Sequence, residues 1–177
     1  MNTGLRRCVA ATAVLGATAA VVLTSAAAAS AMPTDFRCTS AQVDTTIVPG
    51  SPGAGQRYAS VQFTAKPGVT CNFQGSLPVS LAGAPGVTVV NDNSDAPLVT
   101  ISDGQSASML LHWTGIESPE NQVQPASVTI VAPSTTDPRG VTSDPNITLP
   151  WTQGALDDSA QAHELIVGPV TAGAAVS

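Results

Sequence analysis

Past residue 31 the chain alternates short hydrophobic stretches with turn residues, and no stretch holds a convincing helical period. Over 40–48, Val43, Thr45 and Ile47 alternate with Gln42, Asp44 and Thr46, the two-residue period of a strand with one face covered. The Pro- and Gly-rich run 49–55 ends it. A second strand is predicted over 57–64, where Tyr58, Val61 and Phe63 supply aromatic and β-branched residues although Ala59 and Ser60 weaken the alternation. Beyond the Pro67-Gly68 turn, Val69, Cys71 and Phe73 share one side of a third. Further strands are predicted over 77–81, 87–90, 97–101, 106–114, 126–132, 146–149 and 164–167. Pro85-Gly86, Asp103-Gly104, Asp137-Pro138-Arg139-Gly140 and Gly168-Pro169 read as turns. Only 157–163, opening on an acidic pair, offers a short helical turn.

This count of short strands predicts an all-β fold, an immunoglobulin-like or related two-sheet β-sandwich, with a small β-barrel as the alternative because strand counting does not establish closure. No repeat and no charged or low-complexity linker divides residues 32–177, which read as a single domain with flexible terminal residues. The segments 49–55 and 134–144 read as flexible surface connections.

Composition changes meaning once the first 31 residues are set apart. Arg6 and Arg7 precede an apolar run over 9–29 that closes on Ala29-Ser30-Ala31 before Met32 and Pro33, the layout of a secretory signal peptide; a retained anchor is the alternative. Cleavage after Ala31 would leave 146 residues and take Arg6, Arg7 and Cys8 away, so the formal charge moves from -6 to -8. Such a chain is disfavoured on nucleic-acid phosphates and anionic lipids, and no stable membrane span would remain. Cys38 and Cys71 are then the cysteines of a chain passing through an oxidising compartment, and they are expected to form a disulfide.

Catalytic chemistry is thinly represented. His112 and His163 are the only histidines, far apart in sequence, and neither belongs to a His-Glu-x-x-His or Cys/His ligand pattern. No Cys-x-x-Cys, Gly-x-Ser-x-Gly or phosphate-binding loop occurs. Asp92, Asp95, Glu117, Glu120, Asp157 and Asp158 could supply paired carboxylates or oxygen ligands after folding. The run Asp92-Asn93-Ser94-Asp95, however, lacks the spacing and closing Glu of a calcium loop. A triad of His163 with Asp157 or Asp158 and a serine would have to be established by geometry. No catalytic residue, metal ligand or cofactor is therefore assigned. Among aromatics, Trp113, Tyr58 and Phe63 read as core residues, while Trp151, after Leu149-Pro150, is open to an edge role as a partner contact. The expected function is a secreted, non-enzymatic binding or cell-envelope module for a protein or an envelope polysaccharide. A structural envelope protein and a secreted hydrolase are the alternatives.

Five segments carry a family resemblance: Phe36-Arg37-Cys38, Gly55-Gln56-Arg57-Tyr58 leading into Val61-Gln62-Phe63-Thr64, Thr70-Cys71-Asn72-Phe73-Gln74-Gly75, Ser106-Ala107-Ser108-Met109-Leu110-Leu111-His112-Trp113, and Val167-Gly168-Pro169-Val170. Over about 35–170 the chain resembles an actinobacterial secreted or lipoprotein family called domain of unknown function 4232. The resemblance implies a compact extracytoplasmic β-sandwich in which Cys38 and Cys71 match an early cysteine pair. It implies neither a reaction nor a catalytic set. Many relatives carry a second, later cysteine pair that has no counterpart near Asn121 or His163, so packing alone would hold the later strands.

Overall fold

The computed structural model describes residues 36–92, 96–137 and 143–176; the predicted signal segment lies outside them, as do Asn93, Ser94 and Asp95 of the oxygen-rich run. Among the described residues the chain forms strands β1 (Val43–Pro49), β2 (Gln56–Ala65), β3 (Thr70–Phe73), β4 (Val79–Ala82), β5 (Thr88–Asn91) and β6 (Val99–Ser102). These are followed by β7 (Ser106–Thr114), β8 (Gln122–Val123), β9 (Ser127–Ile130), β10 (Ile147–Pro150), β11 (Leu156–Asp157) and β12 (Glu164–Ala172). Three single 3₁₀ turns punctuate them.

The largest sheet runs β1-β2-β7-β12-β5, antiparallel except for the parallel β12–β5 pair. Sheet β10-β9-β4 and the pair β3-β6 share one hydrophobic core with it, and β8 pairs with β11 beside them. The arrangement is all-β and sandwich-like. Strands β1 and β5 remain as open edges of the large sheet, so it does not close into the alternative barrel.

Parity sets which side of each strand is inside. Ala59, Val61, Phe63 and Ala65 of β2 are buried, as are Ala107, Met109, Leu111 and Trp113 of β7. They face Phe73, Ile101, Val128 and Ile130 of the opposite layer, and the Phe63 and Phe73 rings meet at 4.9 Å. Burying one such large side chain contributes about 1.5–3 kcal/mol. A one-residue slip of β2 or β7 would turn the whole set into solvent, so the register is strongly specified.

Cys38 and Cys71 are joined by a disulfide with a Cα–Cα distance of 4.9 Å. The Cys38 N–H donates to the Asn72 carbonyl at 3.0 Å and the Asn72 N–H to the Phe36 carbonyl at 3.2 Å, which pins 36–38 alongside β3. Closing a loop over 33 residues of sequence contributes roughly 3–4 kcal/mol by loop entropy.

Several local expectations are corrected. Gly168-Pro169 is not a turn: β12 continues through it to Ala172, and a register shift between Val167 and Val170 absorbs the proline, which cannot donate to the ladder. The 157–163 segment is not helical; Asp157 ends β11, and Ser159 bridges Ala162 around a tight turn. The 134–144 segment is not simply a surface connection at its start, since Ser134 is 2% exposed within the turn Pro133–Thr136. Arg37 donates to the Thr136 carbonyl and hydroxyl there.

Candidate functional site

The inner side of the large sheet is filled, and its outer side carries two exposed apolar residues, Leu110 and Val90, beside partly buried Tyr58, His112 and Ile166. Gln56, Tyr58, Ser60, Gln62 and Thr64 of β2 and Ser106, Ser108, Leu110, His112 and Thr114 of β7 have the parity opposite to the core. Most of these are small polar residues. Tyr58, Leu110 and His112 depart from that pattern at adjacent positions.

Register builds them into a strip. Tyr58 lies opposite His112, His112 opposite Ile166 of β12, and Ile166 beside Val90 of β5, so one row crosses four strands. Leu110 begins the next row, opposite Ser60. Leu110 is 47% exposed and Val90 38%. The Tyr58 and His112 rings stack with centroids 4.7 Å apart and planes 8° from parallel. The His112 Nε2–H donates to the Gln56 side-chain carbonyl, which fixes the imidazole on the sheet.

Two hollows flank this strip. One, about 310 Å³, lies beneath the 160–162 turn and is lined by Gln56, His112, His163 and Glu164. The other, about 360 Å³, opens beside the β12 bulge and is lined by Asp92, Leu110 and Pro169. His112 and Ile166 belong to both linings and form the wall between them. The fold thus brings the two histidines to one depression despite their separation in sequence. His163 is held there by its Nδ1–H, which donates to the Ser159 backbone carbonyl at 2.9 Å.

The serine–histidine–aspartate grouping is not assembled. The His163 Nδ1–H meets a backbone carbonyl rather than a carboxylate, and Asp157, 1% exposed, is committed elsewhere. Its Oδ2 accepts from the Ile116 N–H at 3.1 Å, while Oδ1 accepts from the Glu117 N–H at 3.1 Å and the Gln122 amide at 3.0 Å. Burial pushes this carboxyl up, but those donors, with the Thr114 hydroxyl, hold it below its ordinary value. Asp144 is treated similarly: partial desolvation raises it, and hydrogen bonds from the Ser134 hydroxyl and from the Ser40 hydroxyl and N–H lower it further. Both carboxylates fasten loops. Glu117 accepts the Ser159 hydroxyl at 3.2 Å, and Asp158 lies against Gly86. Among the described residues no three His, Cys, Asp or Glu side chains are grouped to hold a metal ion.

Trp151 is corrected from partner contact to core. It is 5% exposed, its ring packs 5.1 Å from that of Trp113, and its Nε1–H donates to the Gly154 carbonyl at 2.7 Å. Tyr58 moves the other way, from expected core residue to the outer face. The residues missed from sequence, Leu110, Ile166 and Val90, carried one usable signal: Leu110 is an apolar residue on the polar parity of 106–114.

No helix among the described residues is long and apolar enough to cross a membrane. No curated protein and no solved structure matches the chain. The family model described as domain of unknown function (DUF4232) matches residues 38–171, taking in the disulfide, both layers of strands and both hollows. The chain belongs to that family.

Proposed function

We propose that the domain is an extracytoplasmic, non-enzymatic docking module that engages a polypeptide partner through the outer face of its large sheet. The observation that carries this reading is the outer-face strip in which exposed Leu110 and Val90 flank the half-buried Tyr58, His112 and Ile166, apolar or aromatic at its centre and bordered by Ser, Thr and Gln. A charge-depleted centre inside a polar rim is the composition of a protein-binding surface. The signal-like start and the disulfide support an extracytoplasmic setting.

The test is capture of partners from a cell-envelope extract by the full chain, expressed for export, against its Leu110→Ser variant. Leu110 is half exposed, so the variant is expected to keep its stability to within about 0.5 kcal/mol while losing the captured partner. Equal capture by a folded Leu110→Ser variant would remove the outer face from the function.

A further inference from the structure

We infer that the first hollow is a recognition pocket for a single arginine side chain of the docked polypeptide, with Glu164 as the carboxylate that receives it. This rests on the docking role proposed above and adds which partner side chain the face selects. The hollow, about 310 Å³, lies at the low end of the roughly 300–1,000 Å³ typical of ligand pockets. That scale suits one side chain.

Charge decides which one. Glu164 opens β12 on the same parity as Ile166, it is exposed, and no cation among the described residues pairs with it. Those cations are placed elsewhere: Arg37 binds Thr136 and Gln74, Lys66 binds the Ala41 carbonyl beside Asp44, and Arg57 lies against Gly115 on the parity of Trp113. The neighbouring turns add charge of the same sign, because Asp157 and Asp158 lead into Ser159 and Glu117 accepts the Ser159 hydroxyl. The field at the hollow is therefore negative. Gln161 and Thr114 contribute further side-chain oxygens to its lining. A planar guanidinium can meet the carboxylate with two N–H groups and still find acceptors for the others, whereas an ammonium is a more strongly hydrated point charge.

The strand beneath fixes what accompanies the arginine. His112 walls the first hollow, and Leu110, two residues earlier on β7, stands half exposed on the same face. Two residues of strand span about 7 Å and return the side chain to the same side. An extended partner lying along β7 with its arginine in the hollow thus sets the residue two positions away over Leu110, and an aliphatic side chain suits that place. A second copy of this chain, with its formal charge of -6, would bring like charge to the face. A sugar ring needs an open aromatic face, whereas Tyr58 and His112 stack on one another and His112 has Ile166 across its other side.

The experiment is fluorescence anisotropy of the full chain with labelled synthetic peptides built on the core Val-Thr-Arg-Thr-Val, which offers an aliphatic residue on either side of the arginine. Comparison peptides carry citrulline, an uncharged isostere, or Glu at the central position, or Thr at both Val positions. The arginine peptide is expected to bind, the citrulline peptide about three- to tenfold more weakly, and the Glu and Thr peptides more weakly than the arginine peptide. These comparisons use the unmodified protein and need no variant to fold. In Glu164→Gln of unchanged Tm the arginine and citrulline peptides should bind alike, which couples the peptide charge to that one carboxylate. Equal binding of arginine and citrulline peptides to the unmodified protein, or an arginine preference that survives Glu164→Gln, overturns the inference. So does a dimer in sedimentation that Leu110→Ser dissolves, or displacement of the captured partner by a neutral glucan. If no peptide binds while capture still depends on Leu110, the arginine pocket falls and the docking face stands; if the Leu110 dependence is absent too, both fall.

Discussion

Replacing Asp157 with Asn tests whether a single buried carboxylate fastens the loops beside the first hollow. Asp157 joins the backbone at Ile116 and Glu117 to Gln122 at the start of β8, from its own place in β11. Asn keeps one acceptor oxygen and turns the other position into a donor, which then faces an N–H. At least one hydrogen bond to a charged group is lost, worth about 1.5–3 kcal/mol, and a buried donor is left opposed. The expected destabilisation is about 2–4 kcal/mol at neutral pH. For a domain of this size that corresponds to a fall in Tm of about 6–15 °C.

The pH dependence separates this mechanism from a simple packing defect. The folded carboxyl is held below its ordinary value, so its stabilisation is fully present above the unfolded value of about 4 and is lost as pH falls through the depressed folded value. Asp144 titrates in the same direction but is common to both proteins, so it cancels in their difference. Urea unfolding of the wild type and Asp157→Asn should therefore show a gap that is widest near neutral pH and narrows below about pH 4. A gap independent of pH, or a variant as stable as the wild type at pH 7, would refute the role given to this carboxylate.

Two further outcomes test the frame. Replacing both Cys38 and Cys71 with Ser should cost roughly 3–4 kcal/mol in denaturant midpoint analysis, and the loss should match that of the reduced wild type. Trp151→Ala should cost about 3–5 kcal/mol, as for other large buried aromatics, with any loss of partner following from lost folding. An unchanged Tm together with lost binding would return Trp151 to the surface.

What the sequence disclosed depended on whether one strand or several had to be read. The 106–114 strand has its observed limits because Ala107, Met109, Leu111 and Trp113 recur at every second position, with Leu110 the one apolar residue on the other parity. In 57–64, hydrophobicity groups Tyr58 with Val61 and Phe63, yet it shares parity with Gln56, Ser60 and Gln62; the small Ala59 and Ala65 complete the buried apolar set. Hydrophobicity misplaced Tyr58, where spacing would have put it outside. The two-residue strands β8 and β11 carry too few positions for any period. Gly168-Pro169 reads as a turn locally and becomes a bulge only because β7 holds β12 on both sides of it. Trp151 follows a proline at a strand end, and its burial in the core against the Trp113 ring of a distant strand has no local signal.

The candidate site was less legible for the same reason, since it consists of cross-strand relations. No linear pattern links Tyr58, His112, Ile166 and Val90; the register of three strand pairs does. That origin also bears on how the face would work. Its residues stand on strands whose inward neighbours, Ala59, Leu111, Trp113, Leu165 and Val167, are fully or almost fully buried, so the strip is ordered before any partner arrives and little conformational entropy is lost on docking. The turn at 160–162 is different. It is closed on itself by the Ser159–Ala162 bridge and the His163–Ser159 hydrogen bond, and of the two hollows it lines only the first. Adjustment to a docked partner is therefore expected on the side of that turn, while the Leu110 side, built on paired strands, stays fixed.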